Sequence, residues 1–217
     1  VRLDLPKIYP ITDTQLSGLS HAEQVARLIE GGASFIQLRD KISEPREFYR
    51  DAAAALQVAR HHGARLIIND RVDIALALKA DGVHLGQTDL PVAAARRLLG
   101  KEAIIGFSTH NAEQAKLALA LPVDYLAFGP IFPTSSKNNP DPITGLGAMA
   151  KVGEIKGSLP LVAIGGITRE TVVEVLKAGA DAVSVIAELL ADPARIAENM
   201  NKMLTVTSRA PNPLGVA

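Results

Sequence analysis

Short apolar runs alternate along this chain with longer stretches whose apolar residues recur at helical spacing. Runs at residues 8–12, 35–39, 65–69, 82–85, 104–108, 125–128, 161–164 and 182–185 have the length of strands buried on both faces. Between them, residues 21–30, 45–62, 72–79, 91–99, 111–119, 148–156 and 170–178 form amphipathic stretches, and residues 193–204 predict a last helix. Strands alternating with helices pair in parallel through right-handed crossovers. Glycine punctuates the pattern: Glu30-Gly31-Gly32-Ala33, His62-Gly63-Ala64, Ala80-Asp81-Gly82 and Ala178-Gly179-Ala180-Asp181 each stand just before a strand, where glycine can end a helix in a left-handed conformation. Eight such units close into a single (β/α)₈ barrel, the TIM barrel. An open doubly wound sheet is the rival, but no Gly-x-Gly-x-x-Gly follows the first strand.

Length agrees with this fold. The chain has 217 residues, and one barrel of this kind takes about 200 to 250. The expected domain is residues 1–204, with 205–217 a poorly ordered tail containing Pro211 and Pro213. A hydrophobic fraction of 47% fills a core, and with only 4% aromatic residues an aliphatic filling is expected. The 23 basic and 23 acidic residues cancel, which gives no field for nucleic acid or an anionic membrane. With no cysteine, thiolate metal sites and cysteine nucleophiles are excluded, so any metal is held by oxygen or imidazole. The start lacks a signal-peptide core and no apolar run reaches membrane-spanning length, so a cytoplasmic protein is expected. A homo-oligomer is compatible with these features.

Barrels of this class build their sites at the C-terminal ends of the strands. Those ends carry Thr12-Asp13, Gln37-Leu38-Arg39-Asp40-Lys41, Asn69-Asp70, Gly86-Gln87-Thr88-Asp89, Ser108-Thr109-His110, Lys137, Gly165-Gly166 and Ile186-Ala187. The opposite ends show mostly glycine and alanine. By strand alternation Gln37, Arg39 and Lys41 share one face, as do Ile67 with Asn69 and Gly106 with Ser108, so Gln37, Asn69 and Ser108 should face the barrel mouth. The loop from Gly129 to Pro160 is unusually long and hydroxyl-rich ahead of Lys137, which suits a functional loop.

Asp70 and Asp89 follow consecutive strands. Two nearby carboxylates repel unless a cation lies between them, and Mg²⁺ takes one or two carboxylates plus phosphate oxygens and water. The plainer reading is that each caps the helix after it. Gly165-Gly166-Ile167-Thr168, leading into a helix, lets a phosphate approach backbone N–H groups, or is simply a tight turn. Lys41 and Lys137 stand at the same end and could compensate a diphosphate. Of the histidines, His21, His61 and His62 are expected on helix surfaces, His84 in strand packing, and His110 near a ligand. Arg39 either steers an anion or pairs with a core carboxylate.

Taken together, Tyr9-Pro10-Ile11-Thr12, Gln37-Leu38-Arg39-Asp40-Lys41, Ile68-Asn69-Asp70, Val83-His84-Leu85-Gly86-Gln87-Thr88-Asp89-Leu90, Ser108-Thr109-His110, Phe128-Gly129-Pro130-Ile131-Phe132-Pro133-Thr134 with Lys137, and Ala163-Ile164-Gly165-Gly166-Ile167 resemble the thiamine-phosphate synthases, in family order. The resemblance implies a Mg²⁺-dependent transferase with two small-molecule substrates, a pyrimidine diphosphate and a thiazole phosphate. It implies that Gln37, Leu38, Arg39, Asp40, Lys41, Asn69, Ser108 and Lys137 bind the pyrimidine diphosphate, with Lys41, Ser108 and Lys137 catalytic. Asp70 and Asp89 would hold the metal, and Thr134, Ser135, Ser136, Gly166, Ile186 and Ala187 would bind the thiazole phosphate. Two positions depart from the family pattern: threonine is usual at Ser136 and serine at Ala187, so Ala187 lacks a side-chain donor. Rivals are a thiazole tautomerase of the same fold, a phosphosugar isomerase or epimerase barrel, and a non-catalytic thiamine-precursor sensor.

Overall fold

The computed structural model describes residues 3–134 and 141–208. Eight strands alternate with helices: β1 (Ile8–Pro10), α1 (Thr14–Ser17), α2 (His21–Glu30), β2 (Phe35–Leu38), α3 (Pro45–His61), β3 (Arg65–Asn69), α4 (Val72–Leu78), β4 (Gly82–Leu85), α5 (Val92–Leu99), β5 (Ile104–Thr109), α6 (Ala112–Ala118), β6 (Tyr125–Phe128), α7 (Gly145–Ile155), β7 (Leu161–Ile164), α8 (Val172–Lys177), β8 (Ala182–Val185), α9 (Ala187–Leu190) and α10 (Ile196–Ser208), which a 3₁₀ turn at Pro193–Arg195 precedes. All strand pairs are parallel, in the order β1-β8-β7-β6-β5-β4-β3-β2. The ring closes where Ile11 bridges Gln37 and Thr12 N–H donates to the Gln37 carbonyl at 2.9 Å.

Strand alternation sorts the core into two layers. Ile8, Ile36, Leu38, Leu66, Ile68, Val83, Leu85, Ile105 and Leu126 face outward onto the helices. Tyr9, Phe35, Ile67, Tyr125, Ala127, Val162 and Ala182 fill the barrel. The expected aliphatic filling holds for the outer layer but not the inner one. Tyr9, Phe35 and Tyr125 meet edge to face inside the barrel, with centroids 4.8 to 6.4 Å apart. A ring is the larger filler, and three of them plug the closed interior.

Carboxylates tie down the N-terminal end of the barrel. Asp81, just before β4, accepts the Leu66 N–H of β3 at 2.8 Å. Asp124, before β6, accepts Ile105 N–H of β5 at 2.7 Å, and Asp181, before β8, accepts Leu161 N–H of β7 at 2.8 Å. Arg96 and Lys156 pair with Asp124 and Asp181 at 2.6 and 2.7 Å. Without these carboxylates the Leu66, Ile105 and Leu161 amides would lose these partners.

Most expected elements appear within one or two residues of their predicted ends. Two short helices, α1 and α9, were not legible because each is a single turn. The last helix runs through Ser208, about a turn past the expected start of the tail. His21 is not a surface residue: it starts α2 fully buried, with Nδ1 2.7 Å from Thr12 Oγ1 and a ring contact with Phe48.

Candidate active site at the C-terminal rim

The C-terminal rim encloses a cavity of about 730 Å³. Gln37, Arg39, Lys41, Asn69 and Ser108, which strand alternation sets on inward faces, lie on its wall, and Asp70 joins them there. Thr134, Gly166, Ile186 and Ala187 line the opposite side. One rim therefore gathers residues from both ends of the chain. Ser135, Ser136 and Lys137 lie outside the described residues.

Asp70 and Asp89 cap nothing. Arg71 and Pro91 occupy the N-cap positions of α4 and α5, with no side-chain cap bond at either. Asp70 instead holds a left-handed backbone, φ 61°, and its carboxylate takes the Lys41 ammonium. Such a backbone is uncommon for a residue with a β-carbon and marks a constrained site. Asp89 accepts Gly86 N–H at 2.6 Å and stands beside Asp70, though it is not itself on the cavity wall. Burial raises the Asp89 carboxyl above the usual range, as does the neighbouring Asp70, while the Gly86 N–H and Lys41 work against the rise. Two carboxylates in this relation lack full compensation, and a divalent ion held through oxygen is one group that would supply it. Among the described residues no group of three or more acidic or imidazole side chains is placed to hold a metal ion, so further ligands would come from substrate and water.

Asn69 adds a second sign of a ligand. Its Nδ2 is buried with no hydrogen-bond partner among the described residues, and the side chain lines the cavity. An unsatisfied buried donor costs about 1–3 kcal/mol, which a ligand acceptor would relieve.

Other expected residues take different places. Leu38 is wholly buried in the sheet–helix layer, because alternation turns it away from Gln37 and Arg39; only its backbone can serve the rim. Asp40 is not on the cavity wall. Its Oδ1 accepts Ile42 and Ser43 N–H at 2.9 and 2.8 Å, holding the turn that presents Lys41. Partial burial pushes the Asp40 carboxyl up, but the Ser43 and Ile42 amides, the Ser43 hydroxyl and His21 together hold its pKa below the usual value. Arg39 lines the cavity and also pairs with Asp13, the partly exposed cap of α1, at 3.3 Å.

The Gly165-Gly166 pair does not open a helix, since α8 begins only at Val172. Both glycines have positive φ, 101° and 62°. A β-carbon on Gly165 would meet Pro130 at 2.5 Å, and one on Gly166 would meet the Pro133 carbonyl at 2.3 Å. The pair thus lets the loop after β6 lie against the loop after β7, where Ile131 and Phe132 N–H reach Ile164 and Gly165 carbonyls at 2.9 and 3.1 Å.

His110, expected near a ligand, lines the cavity, as do Gln87 and His84, for which the sequence suggested no binding role. His84 is buried between Tyr125 and Ser108, 2.9 Å from the phenol oxygen and 2.8 Å from Oγ. Alternation along β4 puts His84 inside, and the missing side chain of Gly106, its register partner, makes the space. Gln87 donates to the Ser108 carbonyl at 2.6 Å, and His110 meets the Gly129 carbonyl at 2.8 Å while pairing with Asp141.

Comparison with known proteins agrees with this fold. Residues 8–189 match the family described as thiamine monophosphate synthase. The chain is 44% identical to a thiamine-phosphate synthase of Koribacter versatilis, across 93% of this chain and 97% of that one. It is 46% identical to that of Syntrophomonas wolfei, across 84% and 88%. In structure it superposes on a thiamine phosphate pyrophosphorylase from Pyrococcus furiosus with a TM-score of 0.84 at 35% identity, covering 94% of this chain and 96% of the other. The chain belongs to the thiamine monophosphate synthase family.

Proposed function

We propose that this chain joins a pyrimidine diphosphate to a thiazole phosphate, releasing pyrophosphate and forming thiamine phosphate. The observation that carries this reading is the Asp70–Asp89 pair, in which Lys41 pairs with Asp70 and Asp70 stands on the wall of a cavity that also holds the unsatisfied Asn69 amide. Gln37, Arg39, Lys41, Asn69 and Ser108 form the half that would take the pyrimidine diphosphate. Thr134, Gly166, Ile186 and Ala187 form the other half, for the thiazole phosphate, with Ser135 and Ser136 completing it by resemblance.

Asp70 and Asp89 would hold Mg²⁺, which supplies charge stabilisation for the diphosphate as it leaves. Lys41, and Lys137 by resemblance, would add positive charge to the same oxygens. Loss of pyrophosphate leaves positive charge at the pyrimidine's exocyclic methylene, and the aminopyrimidine ring can delocalise it. The thiazole nitrogen then attacks that carbon. No protein nucleophile is required: the residues hold the partners in line and keep water from the cation. Ala187 brings no hydroxyl, so backbone N–H groups at Ile186 and Ala187 would face the thiazole phosphate.

The proposed setting is the cytoplasm; among the described residues no helix is long and apolar enough to cross a membrane. The decisive assay is pyrophosphate release with both substrates, with and without Mg²⁺. Release that needs both substrates and the ion supports the reading. Isomerisation of the thiazole without pyrophosphate would replace it with a tautomerase, and binding without product would leave a sensor.

A further inference from the structure

Five side chains, each from a different strand, form one hydrogen-bonded line across the barrel at the floor of the cavity. Gln37 Nε2 lies 2.9 Å from Tyr9 Oη, which lies 2.9 Å from Tyr125 Oη. Tyr125 Oη lies 2.9 Å from His84 Nδ1, and His84 Nε2 lies 2.8 Å from Ser108 Oγ. Gln37, Tyr9, Tyr125 and His84 are buried; all but Tyr125 border the cavity, and the line ends at Ser108 on its wall.

The line has a direction. An amide nitrogen only donates, so the Tyr9 oxygen accepts from Gln37 and its own proton goes to Tyr125. The Tyr125 proton then goes to His84 Nδ1, which must be the bare nitrogen of a neutral imidazole. The ring proton therefore sits on Nε2 and is donated to Ser108 Oγ. A serine hydroxyl that accepts from one side has its proton left for the other, and here the other side is the cavity. Phosphate oxygens are acceptors, so a hydroxyl held in this sense suits them better than one free to turn.

We propose that Tyr9, Tyr125 and His84 are positioning residues that fix the Ser108 hydroxyl as a donor into the cavity, toward the diphosphate of the bound substrate. The proposal rests on the substrate reading given above. It uses Gly106 as well, since a β-carbon there would stand 2.5 Å from His84 Nδ1 and break the line at its centre.

Two measurements on the full chain test it. Nitrogen-15 NMR of the imidazoles, with His84 assigned by comparison with H84Q, should find the proton on Nε2 and a bare Nδ1. The opposite tautomer would overturn the proposal without touching the substrate reading. In kinetics, Tyr125→Phe should lower kcat/KM for the pyrimidine diphosphate about tenfold and leave KM for the thiazole phosphate unchanged. The same change made in a Ser108→Ala background should add nothing, because its effect passes through that hydroxyl. An undiminished penalty in the double variant would mark Tyr125 as ordinary packing and overturn the relay. Full turnover in Ser108→Ala alone would remove both the relay and Ser108's place in the substrate site.

Discussion

Gly106 and Tyr125 are register partners on neighbouring strands, and a β-carbon on the glycine would stand 2.0 Å from the tyrosine Cζ. The ring occupies the volume that any side chain at position 106 would need. Gly106→Ala should therefore force Tyr125 out of place and cost about 1–3 kcal/mol, the usual range for overpacking a closed core. Urea unfolding measures that loss. A variant as stable as the parent would show that the tyrosine can retreat without penalty.

Asp70→Asn keeps a residue that accepts a left-handed backbone while removing one of two adjacent carboxylates. The variant should be no less stable than the parent in the absence of metal. Its turnover should fall on the order of a hundredfold or more, since the charge that holds the ion is halved. Calorimetry with Mg²⁺ and pyrophosphate together should show binding to the parent and little to the variant. Equal heats would take Asp70 out of the metal site.

Gly166→Ala places a β-carbon 2.3 Å from the Pro133 carbonyl at a backbone φ of 62°. The loop after β6 must move away. The expected result is a raised KM for the thiazole phosphate, with KM for the pyrimidine diphosphate little changed, read from steady-state kinetics in each substrate. A uniform rise in both would show that the two halves of the cavity are not separable.

Burial lowers the pKa of both His21 and His84, that of His84 to about 4. Around His21 the carboxylates of Asp51, Asp40 and Asp13 oppose the fall without cancelling it. A histidine whose folded pKa lies below its unfolded value of about 6.5 binds fewer protons folded than unfolded. Its contribution is present in full above that unfolded value and lost as the pH falls toward the folded one. Unfolding free energy should thus decline from pH 7 to pH 5, and His84→Gln should show a slope smaller by up to one proton. Parallel curves for parent and variant would mean that His84 takes up its proton with the fold intact.

The architecture was legible because its signals are local. Apolar runs, amphipathic stretches and glycine stops each stand within a few residues, and parity along β2, β3 and β5 placed Gln37, Asn69 and Ser108 on the cavity wall. What escaped depends on pairs far apart in the chain. His84 read as packing because its partner Tyr125 and the space beside Gly106 become neighbours only once the strands are in register. Asp70 and Asp89 fitted the plainer capping reading until Arg71 and Pro91 proved to hold those positions. The glycine pair read as a phosphate cradle, yet its sharpest constraint is the loop from the preceding strand.

The aspartates that anchor β3, β5 and β7 sit at the pole away from the cavity. Divided in this way, the molecule can keep strained backbone, crowded negative charge and an unmet amide where ligands arrive, while its integrity is secured elsewhere. Substitutions at Asp81, Asp124 or Asp181 should loosen the whole barrel, whereas the opposite rim is left open to chemical variation at little cost to folding.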